Sequence, residues 1–275
     1  MNDLVAALRS GRVLVMDGAM GTQLQRLTPN FDCCERFNLS DPAAVRSIHR
    51  VYREAGAEVL LTNTFQANPV ALARRGLAAA HHEIWQAAIK LIHAEGPGPF
   101  VLADVGPIDN LTREIVTGIL RECKDVDGVL LETWSSLEDL ALFAQATSVP
   151  LLVSFTYDRE QIDKGRPEAC ARAAQECGVV AVGVNCGKDI DMTDLREIIE
   201  RYRAVCDLPI FVRPNAGTPA RTETGWVYPR DPQAMAADLP AILAAGIAMI
   251  GGCCGTTPEH IAAFRLVVEE WNRSV

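Results

Sequence analysis

Two neighbouring cysteines sit inside a glycine-rich turn, Gly251-Gly252-Cys253-Cys254-Gly255-Thr256-Thr257-Pro258, and a third stands far upstream in Val184-Asn185-Cys186-Gly187. Successive residues on a regular strand point to opposite faces. Both members of the pair can therefore serve one metal ion only where the backbone bends sharply, and the flanking glycines permit that bend. Brought together, the three thiolates form a soft donor set that suits zinc over magnesium or calcium. Structural zinc sites usually close with four protein ligands, whereas catalytic sites supply three and keep a position for water or substrate. This chain offers three. The long separation of Cys186 from Cys253 matches no zinc-finger spacing, so the case depends on a topology that carries both segments to one place. A vicinal disulfide at Cys253 and Cys254 is the alternative reading. Cys33 and Cys34 read as loop packing that could compete for a metal, and Cys123, Cys170, Cys177 and Cys206 read as small buried apolar groups.

The elements that must position these residues recur in a regular order. Eight short β-rich runs stand out: Val13 to Asp17, Glu58 to Thr62, Phe100 to Asp104, Gly128 to Glu132, Leu151 to Phe155, Val179 to Asn185, Pro209 to Arg213 and Ala248 to Gly252. Helix-like stretches separate them. Asp41-Pro42 opens one as cap and first residue, with Val45, Ile48, Tyr52 and Ala55 on one face and Gly56 at its end. Further helices are expected from Pro167 to Cys177, closing at Gly178, from Asp231-Pro232 to near Gly246, with a kink or split at Pro240, and from Thr257-Pro258 onward. Ser135 and Glu138 read as a capping box before another. Eight β-then-α units predict an α/β fold, an eight-stranded parallel TIM-type (β/α) barrel formed by residues 1–275 as a single domain. A doubly wound open sheet has the same periodicity. Asp17, Asn63, Asp104, Glu132, Ser154, Cys186, Asn215 and the cysteine pair all follow strand runs, and the carboxyl ends of the strands are where such a barrel keeps its active site.

Asp17 ends the first run beside Gly18, where small residues let a ligand approach the backbone, and Glu132 ends the fourth. Two carboxylates facing a thiolate site suggest capture of a substrate ammonium; pairing with an arginine or capping a helix is the plainer reading of each. Phe65, Trp134, Phe155, Tyr157, Trp226 and Tyr228 read as packing and not as a cation cage. His49 and His260 read as surface or ordinarily hydrogen-bonded residues.

Of the 275 residues, 49% are hydrophobic and 22% charged, an ordinary globular balance. A formal net charge of -9, with no basic run, argues against a nucleic-acid partner. No apolar run reaches the roughly 20 residues that a membrane-spanning helix needs, and the opening Met1 to Val5 lacks the regions of a signal peptide. The expected location is cytoplasmic, where nine irregularly spaced cysteines imply thiol or metal chemistry and not a disulfide framework.

Together, Asp17-Gly18-Ala19-Met20-Gly21-Thr22, Asn63-Thr64-Phe65, Val184-Asn185-Cys186-Gly187, Arg213-Pro214-Asn215-Ala216-Gly217 and the Gly251 to Ile261 segment resemble the zinc-dependent homocysteine S-methyltransferase family. The likeness spans nearly the whole chain and is strongest toward the homocysteine-binding domain of cobalamin-dependent methionine synthase. It implies Zn2+ on Cys186, Cys253 and Cys254 as the catalytic centre, with Asn215 as a labile fourth ligand. Homocysteine would be held by Asp17, Gly18, Asn63 and Glu132, and its activated sulfur would take a methyl group to give methionine. Among donors the likeness ranks methylcobalamin on a separate corrinoid carrier protein first, S-methylmethionine or S-adenosylmethionine next, and betaine last. Two departures stand out. The stretch between Asp104 and Gly128 is shorter than the family's third unit, which normally helps to roof the substrate, and the chain has no Asp-x-His-x-x-Gly cobalamin motif. The rival reading is a catalytically silent zinc-binding regulatory barrel.

Overall fold

The computed structural model describes residues 3–29, 31–187, 189–222 and 225–274; Met1 and Asn2 of the opening segment and the side chain of Trp226 lie outside the described residues. The described residues form ten strands: β1 (Leu14–Val15), β2 (Val59–Leu61), β3 (Phe100–Val105), β4 (Gly128–Trp134), β5 (Leu151–Phe155), β6 (Ala181–Asn185), β7 (Ile210–Arg213), β8 (Ala220–Thr222), β9 (Gly225–Val227) and β10 (Met249–Ile250). Eight of them form one parallel sheet in the order β1-β10-β7-β6-β5-β4-β3-β2. Its two edges meet. A parallel bridge joins Met16 to Val59, and Glu58 N and Asp17 N donate to the carbonyls of Val15 and Val59. That closure excludes the open doubly wound sheet and leaves a TIM-like barrel. β8 and β9 form a separate antiparallel hairpin after β7, which the sequence patterning did not indicate.

The period-2 alternation of each strand divides the core in two. Leu14, Met16, Val59, Leu61, Leu102, Leu130, Leu152, Ala181, Phe211 and Met249 pack together inside the barrel, while Val15, Leu60, Val101, Val129, Val153, Val182 and Val212 face the surrounding helices. Leu4 and Leu8 of the short first helix join the inner cluster. The inward register then continues two residues further, to Asp104, Glu132, Ser154 and Arg213, and on β6 past Gly183 to Asn185, four residues beyond Ala181, so the uppermost interior layer is polar.

Helix starts follow side-chain capping. Asp41 Oδ1 accepts from Ala44 N ahead of Pro42–Glu54, and Asp231 Oδ1 accepts from Ala234 N ahead of Pro232–Ala244. Three local expectations need correction. Ser136, not Ser135, caps Leu137–Ala146 by accepting from Asp139 N. The helix Pro232–Ala244 runs unbroken through Pro240: the proline is exposed, while Met235, Leu239, Ile242 and Leu243 bury the other face, and that packing outweighs the lost N–H. His49 is neither on the surface nor hydrogen-bonded. It is fully buried on the inner face of Pro42–Glu54 with no partner for either ring nitrogen among the described residues, and burial alone lowers its pKa to about 4. His260 does make ordinary hydrogen bonds, to Thr257 and to the Arg230 carbonyl.

Candidate active site

β6 and β10 flank β7, so the ends of all three strands open on one side of the mouth. At the end of β6 the chain turns left-handed, with φ of 56° at Cys186 and 100° at Gly187, while Cys186 N stays tied to the Arg213 carbonyl. This turn re-aims the Cys186 side chain. Beyond β10 the ladder persists through Gly251 N to Val212 O, Gly252 N to Asp17 O and Cys253 N to Pro214 O. It ends there. Thr256 then folds back, both its N and its Oγ1 donating to the Cys253 carbonyl, and the Cys254 carbonyl accepts from Ala216 N. Cys253 thus ends an extended segment and Cys254 begins a turn, which lets adjacent side chains share one target. Gly252 is required for close approach, because a Cβ there would sit 2.3 Å from Thr256 Oγ1.

The Sγ atoms of Cys186, Cys253 and Cys254 lie within 4.8 Å of one another, with 4.0 Å between the neighbouring pair. Tetrahedral zinc with Zn–S bonds near 2.3 Å places its sulfurs roughly 3.8 Å apart. The donor set fits such an ion with only a small contraction. The thiols of Cys253 and Cys254 donate toward Cys186 and hold its pKa far below the ordinary thiol value, while Cys253 is pushed well up and Cys254 up to about 11. Asn215 Nδ2 lies 3.5 Å from Cys186 Sγ, and its Oδ1 is buried without a partner among the described residues. Tyr228 rests against Gly255 at the edge of this turn.

Beside the sulfurs lies a buried ionic cluster. Arg213 Nε donates to Glu132 Oε1 and its Nη1 donates to Asp17 Oδ1, both at 2.9 Å. All three side chains are at most 10% exposed. Asp17 Oδ2 also accepts from Leu61 N. Burial still outweighs Arg213, so the Asp17 and Glu132 carboxyls are raised above their usual range. Asp104 stands in the same cluster and is pushed further up, by burial and then by Glu132.

The predicted site residues do not all occupy one place. The three cysteines, Asn215, Asp17 and Glu132 gather at the mouth. Asn63 instead donates from Nδ2 to the Cys34 carbonyl and to Asn38 Oδ1, tethering the first loop. Gly18 packs under Thr256 and Tyr52, and its neighbour Ala19 donates to Thr256 Oγ1, so this turn is bound to the cysteine turn. Cys33 is buried and donates to Glu35. Two residues were given no role from the sequence, Arg213 and Asn185, and Asp104 was marked only as one of the polar residues at strand ends. Asn185 Oδ1 accepts from Thr133 N and Ser154 Oγ, and its Nδ2 donates to Thr133 Oγ1 and approaches Cys253 Sγ at 3.8 Å. The available signal was alternation, since each stands two residues beyond an inward-facing core position.

The sequence profile of the homocysteine S-methyltransferase family matches residues 14–268. The chain belongs to this family. Its relatives include the homocysteine S-methyltransferase of Escherichia coli, 30% identical over 96% of this chain and 98% of that protein. The methionine synthase of Mycobacterium leprae is also 30% identical, over 98% of this chain, which spans 25% of that protein's length. Among solved structures, the metallated form of the Escherichia coli homocysteine methyltransferase MmuM superposes with a TM-score of 0.77 at 25% identity, covering 96% of this chain and 99% of that one. This family member thus carries a three-cysteine cluster fit for zinc. Among the described residues no helix is long and apolar enough to cross a membrane.

Proposed function

We propose that the barrel, taken as one unit over residues 1–275, methylates the sulfur of homocysteine to give methionine at a zinc ion held by Cys186, Cys253 and Cys254. The convergence of those three sulfurs beside a buried acidic cluster carries this reading. Zinc in such a site would supply Lewis acidity that favours the thiolate of an incoming thiol, and Asn215 would be the labile fourth ligand, through Oδ1, that yields its position. Ionisation alone contributes little: a thiol of pKa about 8.5 is a few per cent thiolate at pH 7, so full deprotonation gains roughly 30-fold, or about 2 kcal/mol. Alignment of sulfur and methyl carbon is worth up to about 7 to 11 kcal/mol in favourable cases.

The chain's own residues contribute that alignment. Asp17 and Glu132 attract the substrate ammonium, Arg213 keeps part of their charge in place, and Asn63 and Gly18 fix the first loop above them. Likeness in sequence ranks a corrinoid-carried methyl group first among donors and sulfonium compounds next. Incubating zinc-replete protein with homocysteine and each donor in turn, with an added corrinoid carrier, and measuring methionine assigns the donor. A second measurement separates an enzyme from a silent scaffold. At pH 7 the zinc-loaded wild type should release about one proton more per homocysteine bound than Cys254→Ser. Equal release, or no binding of homocysteine, defeats the proposal.

A further inference from the structure

Within the polar layer one acid has no role in holding the fold. Asp104, the inward-facing residue two beyond Leu102 on β3, is only 6% exposed, and its Oδ1 has no hydrogen-bond partner among the described residues. Its backbone is fixed on both sides: Asp104 N donates to Thr62 Oγ1, and its carbonyl accepts from Thr64 Oγ1. The backbone is therefore fixed at a place where Asp104 Oδ1 finds no donor among the described residues. The charges that face it are Glu132, Arg213, Asp17 and Glu35. Arg213 already serves Asp17 and Glu132, and Glu35 has donors of its own in Gln66 N and the Cys33 thiol. Three carboxyl groups thus surround a single guanidinium. Native proteins rarely leave a buried polar group unpartnered without a use for it, and an isolated buried carboxylate is costly.

We infer that Asp104 is the open half of a cation site and, together with Glu132 and Asp17, receives the α-ammonium of the thiol amino acid. This rests on the homocysteine reading above. An ammonium fits better than a metal cation because it brings separate N–H donors, one for each acid, and its single charge is repelled less than a divalent ion's by the buried Arg213 that bridges Asp17 and Glu132. The charge count agrees, since one added positive charge still leaves the cluster acidic.

The test compares two thiols that differ only at this group: homocysteine and 4-mercaptobutanoic acid, which lacks the α-amino group. Calorimetric Kd values are measured for zinc-loaded wild type and Asp104→Asn. For homocysteine the variant should bind about 10- to 100-fold more weakly, the usual range for a hydrogen bond to a charged group. For 4-mercaptobutanoic acid the change should stay within about threefold, and the melting temperature should not fall, since Asn keeps the shape of Asp and Asp104 Oδ1 has no hydrogen bond to lose among the described residues. Equal weakening for both thiols, or an unchanged homocysteine Kd, overturns the assignment. If wild type binds neither thiol, the homocysteine reading itself fails, which is a different result from loss of discrimination.

Discussion

Arg213 is the most consequential single side chain in the described site, and its removal has a calculable outcome. In Arg213→Met the similar-sized apolar chain fills the space, but the 2.9 Å bonds to Asp17 and Glu132 are lost. Breaking a buried pair from one side costs about 3 to 5 kcal/mol, because the remaining charge is stranded. Here two charges are stranded beside a third acid, which places the expected loss at pH 7 near the top of that range. The cost depends on pH. Burial already raises both carboxyls and Arg213 opposes it, so its removal raises them further. A carboxyl raised in the folded state stabilises fully below its unfolded pKa of about 4, and that contribution is lost as pH rises through the folded value. The deficit of the variant should therefore be smallest near pH 4 and widen toward pH 7.5. Urea unfolding of both proteins at pH 4.5, 6 and 7.5 measures it. A deficit below about 1 kcal/mol at pH 7.5, or one that is constant across the series, would refute the claim that Arg213 neutralises this cluster.

Three further outcomes are expected. His49 falls from its usual 6.5 to about 4 on burial, so as pH drops through that interval the unfolded chain takes up a proton that the folded one refuses, costing about 3 kcal/mol by pH 4; His49→Leu should flatten the acid limb of the stability curve, and parallel curves would show that His49 is not responsible. Asn185→Ala removes the contacts to Thr133, Ser154 and Cys253 and should weaken zinc affinity about 10- to 100-fold in competition with a chromophoric chelator. Gly252→Ala drives a Cβ into Thr256 Oγ1 and should lower stability by about 1 to 3 kcal/mol while disordering the cysteine turn, seen as substoichiometric metal by elemental analysis.

The repeating strands and helices, the caps that start the helices at Asp41 and Asp231, and the accumulation of chemistry at strand ends are legible residue by residue, because period-2 and helical hydrophobic patterns are local and survive in one dimension. The sequence also marked Cys186, Cys253 and Cys254, since a cysteine pair among glycines is rare enough to be legible. Periodicity alone does not separate a barrel from an open sheet, and the polar residues at the strand ends favoured the barrel without closing it. Closure was decided by the hydrogen bonds from Glu58 N to Val15 O and from Asp17 N to Val59 O, a contact between distant segments that no local pattern encodes. The tertiary structure likewise decided that Asn63 tethers a loop, that His49 is buried without a partner, and that Arg213 bridges Asp17 and Glu132. In a closed barrel the inward residues of eight strands meet at the centre. Which charge faces which is therefore set by shear and closure, and the same residues on an open sheet would have different partners.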